Sequence, residues 1–200
     1  MNIYKASSIM LHPLFMQFIA FYTSIKLIPS ISFVLASQLL FIYLILAFYT
    51  IVLPLISVLF LIRIKHVYSL EMMDSKERPL PLFFAAIFTA LAYYRLEEIL
   101  LFTPILKSEI IGSIIILMLA SVISLWWKIS LHMLAIGGAT GIIVALNSLF
   151  GGGTEAVMLF VFLSGMLAMA RLKEKAHDKS QIYLGFLLGF IIELGSVLLL

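Results

Sequence analysis

Long apolar runs dominate this chain and constrain its fold more than any other feature. Runs of about 17 to 30 residues recur along the whole sequence, and a helix of about 20 apolar residues crosses a bilayer. Of the 200 residues, 64% are hydrophobic, against roughly half in soluble domains. The sequence therefore predicts an all-α membrane protein, a polytopic bundle of six to seven transmembrane helices.

We predict seven apolar segments. They span residues 13–30, 33–62, 80–96, 109–127, 132–149, 155–171 and 182–200. The first carries Gln17, Lys26 and Pro29, so it is either a span or an interfacial or re-entrant helix. Pro54 is expected to kink the second segment. No polar stretch exceeds about 17 residues, which is too short for a separate core, so residues 1–200 are predicted to form a single integral membrane domain.

The ionisable residues are concentrated in three clusters, at residues 63–79, 128–132 and 170–179. The other connections are expected at 96–109, which is partly apolar, and at the glycine-rich stretch 148–156. Two apolar segments separate each cluster from the next. Because two crossings return a chain to the side that it left, we expect all three clusters on one face of the membrane.

These clusters contain the residue types that bind and transfer phosphate. They include Lys76, Arg78, Lys128, Ser130, His132, Arg171 and His177. Arginine forks and lysine charges suit phosphate oxygens, and two histidines can supply a nucleophile and a general acid. If a helix begins at KISLH, its free N–H groups add an anion-binding end. The chain has no cysteine, and clustered donors neutralise phosphate without a metal, so we expect no metal and no cofactor.

Three short motifs carry a resemblance to a known family. ARLKEKAHDKSQ places five residues between Arg171 and His177, KISLH contains Ser130 and His132, and ERP contains Arg78. In this order they resemble the motifs S-R-x5-H-x3-D, P-S-G-H and K-x6-R-P of the type 2 phosphatidic acid phosphatases. The chain looks like a short, divergent bacterial member of that family.

The resemblance implies a metal-independent membrane lipid phosphatase that acts through a phosphohistidine. His177 would attack phosphorus, and His132 would protonate the leaving oxygen. Phosphate would be bound by Arg78, Arg171 and Ser130, with Lys76 or Lys128 in place of the family's lysine. The phosphatase-like core would be residues 63–200, with extra helices in residues 1–62. The expected partners are a phosphorylated lipid substrate and the bilayer, with no nucleic acid.

Two positions depart from the family's pattern and put catalysis in question. Glu71 stands where the first motif has its lysine, and Gln181 stands where the third has the aspartate that orients the nucleophilic histidine. We keep Gln181 among the catalytic residues, since its carbonyl can hold a histidine tautomer, although it adds no negative charge. The alternative is a catalytically silent relative that binds phospholipid headgroups or scaffolds a membrane partner. A small transporter is a third, less supported interpretation.

The distribution of lysine and arginine predicts an orientation. With seven crossings, ten of these residues lie on the face of the three clusters, and only Lys26, Arg95 and Lys107 lie on the other. Cytoplasmic loops are rich in lysine and arginine. This predicts a site on the cytoplasmic face, and the bacterial resemblance implies the inner membrane.

Several features outside the clusters have separate explanations. Glu193 lies within the last apolar segment, where a carboxylate is costly, so it is expected to bond a neighbouring helix or to lie near the far interface. The sequence IGGATG at residues 136–141 superficially suggests a phosphate-binding loop, but its small residues predict close helix packing. His12 and His66 are expected to be structural.

Overall fold

The computed structural model describes residues 3–199, which form helices joined by short connections, with no β-strand among them. The α-helices are α1 (Ile3–Met10), α2 (Pro13–Leu27), α3 (Pro29–Val34), α4 (Leu39–Ala47), α5 (Leu53–Arg63), α6 (Pro79–Leu100), α7 (Pro104–Ile123), α8 (Leu131–Phe150), α9 (Thr154–Lys173) and α10 (Lys179–Leu198). A π-helical turn, Phe48–Val52, joins α4 to α5, and a 3-10 turn, Ser75–Glu77, precedes α6.

Six helical stretches are long and apolar enough to cross a membrane. They are Leu39–Arg63, Ser75–Leu100, Pro104–Ile123, Leu131–Phe150, Thr154–Lys173 and Lys179–Leu198. A seventh arises if α1 and α2, which meet at a bend of 59°, are counted as one broken span. The prediction of an all-α bundle with six to seven membrane helices is therefore confirmed.

Two predicted boundaries are wrong. The stretch 96–109 is not a connection, because α6 continues to Leu100 and α7 begins at Pro104. Leu96 and Leu100 are fully buried and lie one helical turn apart, so the apolar face of α6 extends past its polar residues. The predicted segment 33–62 begins later, at Leu39, and its helix is interrupted by the π-turn just before Pro54.

Helices α8 and α10 pack with their main chains in direct contact, and glycines make this close approach possible. A methyl group added at Gly137 or Gly141 of α8 would overlap the main-chain carbonyls of Phe186 and Phe190 of α10. From the other side, a methyl group at Gly189 would overlap the Leu134 carbonyl. The predicted close packing by small residues is confirmed. It fixes the start of α10 against the start of α8.

The connections alternate between the two ends of the bundle. Residues 64–78, 124–130 and 174–178 connect helices at one end, while 101–103 and 151–153 connect them at the other. The last of these is the expected glycine turn, although α8 extends to Phe150 and shortens it. Because the helices run up and down in sequence, the three polar clusters meet at one end, which we call the motif end.

Candidate functional site

Arg78 joins the first two loops of the motif end. Its Nη1 donates to the Ile129 carbonyl at 2.9 Å, and its Nε donates to the Met72 carbonyl at 2.9 Å. The side chain is only 4% exposed. Nη2 donates to none of the described residues, so the guanidinium holds the loops together and keeps one nitrogen for another acceptor.

Ser130 joins the second loop to the first turn of α10. It is the N-cap residue of α8, and its N–H donates to the Gln181 carbonyl at 3.4 Å. Gly185 leaves room for this approach, because a methyl group there would come within 2.9 Å of the Ser130 carbonyl oxygen. The Ser130 hydroxyl is buried and has no partner among residues 3–199. An unpaired hydroxyl at a helix start is suited to binding an anion.

His177 and Gln181 form the central pair of the site. Asp178 caps α10 by accepting from the Gln181 N–H at 2.9 Å, which places Gln181 in the first helical turn. The Gln181 side chain then reaches back, and its Oε1 lies 2.8 Å from His177 Nδ1. With Oε1 as acceptor, Nδ1 carries the proton and Nε2 keeps its lone pair. The hydrogen bonds of the Asp178 carboxylate go to Ser180 and Gln181, and none goes to the imidazole.

The surroundings keep the His177 imidazole neutral. Burial above all, and the nearby positive charges of Arg78, Arg171 and Lys128, lower its pKa from 6.5 to about 4, against the opposing effect of the Gln181 hydrogen bond. The pKa of Lys128 is also lowered, by burial and then by Arg78 and Arg171. A neutral imidazole with a free lone pair is a nucleophile at neutral pH.

Arg171, near the end of α9, is partly engaged within the protein. Its Nη1 donates to Glu174 Oε2 at 2.8 Å and to the Ser8 hydroxyl at 3.3 Å. Its Nε is buried and has no partner in the part of the chain that the structure describes. Nη2 donates to none of the described residues either, so Nε and Nη2 are available to another acceptor, and an incoming anion would compete with Glu174 for Nη1.

The N-terminal segment covers His132, which sequence reasoning did not anticipate. His132 Nε2 lies 3.1 Å from the Ser8 carbonyl, and the ring of His12 meets that of His132 edge-on, with centroids 5.4 Å apart. Ser8 also donates to Glu174 at 3.1 Å. The sequence indicates only the start of α2, through His12 directly before Pro13. In the structure His12 caps α2, because its Nδ1 accepts from the Leu14 N–H at 3.3 Å.

The remaining predicted residues differ in their proximity to the site. Lys128 lies close enough to His177 to act on its pKa, whereas Lys76 lies exposed in the 3-10 turn. Glu71, in the position of the family's lysine, is exposed but within electrostatic range of Arg171. Among residues 3–199 no group of three or more histidine, aspartate or glutamate side chains could hold a metal ion.

Comparisons with protein families, with curated proteins and with solved structures found no match to this chain. The chemistry open to the site follows from its own groups. It combines one neutral imidazole with a free lone pair, a second imidazole, two guanidinium groups, a lysine and a buried hydroxyl. Such a set can hold a phosphoryl group and attack it.

Proposed function

We propose that the protein is an integral membrane phosphatase, similar to the type 2 phosphatidic acid phosphatases, that hydrolyses a phosphomonoester or diphosphate of a lipid. The observation that carries this proposal is the His177–Gln181 pair, which leaves a neutral nucleophilic nitrogen among the charges of Arg78, Arg171 and Lys128. The site lies at helix ends, where a lipid headgroup meets the bilayer surface. The distribution of lysine and arginine supports the cytoplasmic face of a bacterial inner membrane.

The reaction would proceed in two displacements. In the first, His177 Nε2 attacks phosphorus, the bond from phosphorus to the leaving oxygen breaks, and that oxygen takes a proton from His132. In the second, His132 accepts a proton from water, the water oxygen attacks phosphorus, and the N–P bond breaks to release phosphate. Each displacement moves one proton through His132, and the two together return His177 to the neutral imidazole and His132 to the imidazolium with which the reaction begins.

The charge that develops on the phosphoryl oxygens would be stabilised by donors already fixed in place. Arg78 Nη2, Nε and Nη2 of Arg171, and the Ser130 hydroxyl have no partners among the described residues. Donors that are positioned before the reaction need no reorganisation during it. Positioning and charge neutralisation are the main demands of phosphoryl transfer.

A silent phospholipid-binding relative is the second candidate, and specific contacts favour it. Gln181 supplies no negative charge to a charged imidazole, and the Ser8 carbonyl occupies His132 Nε2. Nη1 of Arg171 already donates to Glu174 and to Ser8. A site with these features would still bind a phosphate headgroup, while its turnover would be slow or absent.

Phosphate release by the purified protein separates the two candidates. The assay uses detergent solution with EDTA and a panel of phosphatidic acid, phosphatidylglycerophosphate, polyprenyl diphosphate and lipid A. The wild type is compared with His177→Ala and with His66→Ala, a control at an exposed histidine. We expect release by the wild type and by His66→Ala but none by His177→Ala.

Two results would contradict the proposal. Full activity in a folded His177→Ala variant would exclude the phosphohistidine. No release from any lipid by the wild type, with binding of the same lipids retained, would identify the protein as the silent relative.

A further inference from the structure

Two carboxyl groups lie inside the bundle, far from the motif end. Glu109 of α7 and Glu193 of α10 are only 3% and 2% exposed. Glu109 lies five residues after the start of α7, and Glu193 lies five residues before the end of α10. Because these two helices run in opposite directions, both carboxyls lie toward the end of the bundle that bears the connections 101–103 and 151–153. The proposed phosphatase reaction uses neither of them.

The Glu193 carboxyl fits into a space made for it by small residues. Its Oε1 accepts from the Ser113 hydroxyl of α7 at 2.8 Å. A methyl group at Gly112 of α7 would overlap Glu193 Oε2, and one at Gly138 of α8 would come within 3.2 Å of Glu193 Cγ. Of the two outcomes expected from the sequence, Glu193 therefore does bond a neighbouring helix.

Most of the hydrogen-bonding capacity of the two carboxyls is unused. Both oxygens of Glu109 and Oε2 of Glu193 have no partner among residues 3–199. The Ser24 hydroxyl of α2 lies beside Glu109, but it donates to the Ala20 carbonyl at 3.1 Å. Glu109 precedes Gly112 by one helical turn, on the stripe of α7 that faces α10, and it lies within electrostatic range of Glu193.

No basic side chain among residues 3–199 forms an ion pair with either carboxyl. Lys26 of α2 and Lys107 of α7 each place their ammonium group 5.7 Å from the centroid of a tyrosine ring, Tyr22 and Tyr93 respectively. The only ionisable residue of α8 is His132, at the motif end, and α10 has no lysine or arginine after Lys179. Within residues 3–199 the one ion pair joins Arg171 to Glu174.

We propose that Glu109 and Glu193 form a buried proton-binding site that holds at least one proton at neutral pH. Two adjacent carboxylates without a counter-charge are strongly disfavoured in a dry interior. A proton shared between them removes charge and supplies the missing hydrogen-bond donor. The three free carboxyl oxygens fall well short of the about six to eight ligands that a Ca²⁺ ion takes, so the proton is the cation that fits.

The proposal makes the proton part of the contact between α7 and α10. With the proton bound, Glu193 keeps its hydrogen bond to Ser113 of α7 while the contact carries less negative charge. Without it, two negative charges face each other across the same contact, and the helices are pushed apart. This inference is independent of the proposed phosphatase activity.

Infrared spectroscopy of the full chain in detergent tests the proposal directly, because a protonated carboxyl has a carbonyl band that a carboxylate lacks. Glu109 and Glu193 are the only buried acids in the described residues. We expect a carboxylic-acid band in the wild type and in Glu155→Gln, a control at an exposed glutamate. The band should fall to background in the Glu109→Gln/Glu193→Gln double variant.

An absent band in the wild type, or a band that the double variant retains, would overturn the proposal. If the double variant fails to fold, the presence or absence of the carboxylic-acid band in the wild-type spectrum tests the proposal by itself. Melting temperatures in sodium chloride and in choline chloride test the competing ligand, and we expect them to be equal. A sodium-specific rise in the melting temperature that Glu193→Gln abolishes would assign the site to a metal cation instead.

Discussion

Replacing Gln181 with glutamate would add a negative charge at the position where the motif S-R-x5-H-x3-D, which this sequence resembles, has an aspartate. The two side chains have nearly the same shape, so the oxygen that lies 2.8 Å from His177 Nδ1 keeps its position. In the wild type, burial and three nearby cations hold the pKa of His177 at about 4. The substitution leaves that burial and those cations in place and adds one attraction to the charged imidazole.

The size of this attraction follows from the geometry. Charge centres about 4 Å apart interact by about 4 kcal/mol at an effective dielectric constant of about 20. One pKa unit corresponds to about 1.4 kcal/mol, so the upper limit of the rise is about 3 units. Access of solvent at the motif end reduces it, and we expect the pKa of His177 to rise from about 4 to about 5 or 6.

Nuclear magnetic resonance of histidine-labelled protein measures this pKa. The chain has four histidines, and His177→Asn assigns the resonance. Gln38→Glu adds the same charge at an exposed position far from the motif end and should leave the pKa of His177 unchanged. If the protein is a phosphatase, Gln181→Glu should also raise its rate at least about tenfold, since loss of the corresponding charge in a serine protease costs about 10⁴-fold.

The same pKa determines how stability responds to acid. A histidine whose pKa is lower in the folded state than the 6.5 of the unfolded chain binds fewer protons when folded. Its contribution to stability is therefore complete above 6.5 and is lost as the pH falls toward about 4. Gln181→Glu should reduce this loss. A wild-type His177 that titrates near 6.5, or a pKa that Gln181→Glu does not move, would refute the reasoning.

Three further predictions concern packing and charge. Gly189→Ala should lower the melting temperature sharply, because its methyl group overlaps the Leu134 carbonyl, while Gly195→Ala, which meets open space, should leave it unchanged or slightly raised; thermal unfolding in detergent measures both. Arg78→Lys keeps the charge but loses the fork that binds two carbonyls, so it should cost about 2 kcal/mol or more in chemical unfolding; unchanged stability would contradict the role of Arg78 in joining the loops. Glu174→Gln should tighten binding of orthovanadate by up to about fivefold by freeing a guanidinium nitrogen, and calorimetry that shows weaker binding would count against that.

The sequence predicted the membrane helices well because a physical length sets them. A span needs about 20 apolar residues, and runs of that length stand out without knowledge of the tertiary structure. In α6 the buried face continues to Leu100, beyond the polar residues that follow Leu96. The search for an unbroken apolar run therefore ended this helix too early. The eight residues of α1 are shorter than the window in which helical periodicity becomes visible.

The candidate site was predictable only in its local part. His177 and Gln181 are four residues apart, so their contact follows from the start of α10. The bond from Arg78 to Ile129 spans 51 residues, and that from His132 to Ser8 spans 124. Neither contact has a local pattern, because each depends on which helices pack together. The function of the site and the roles of its residues stay predictions.

The glycine contact between α8 and α10 has a consequence for synthesis in the cell. Gly141 and Gly189 are 48 positions apart, which corresponds to about 2 to 10 seconds of translation at about 5 to 20 residues per second. During that interval the face of α8 that carries Gly137 and Gly141 lacks its partner α10, and lipid tails or the insertion machinery must cover it. Gln181 also emerges after every other residue of the candidate site, so the nascent chain remains without its completed site until α10 has been inserted.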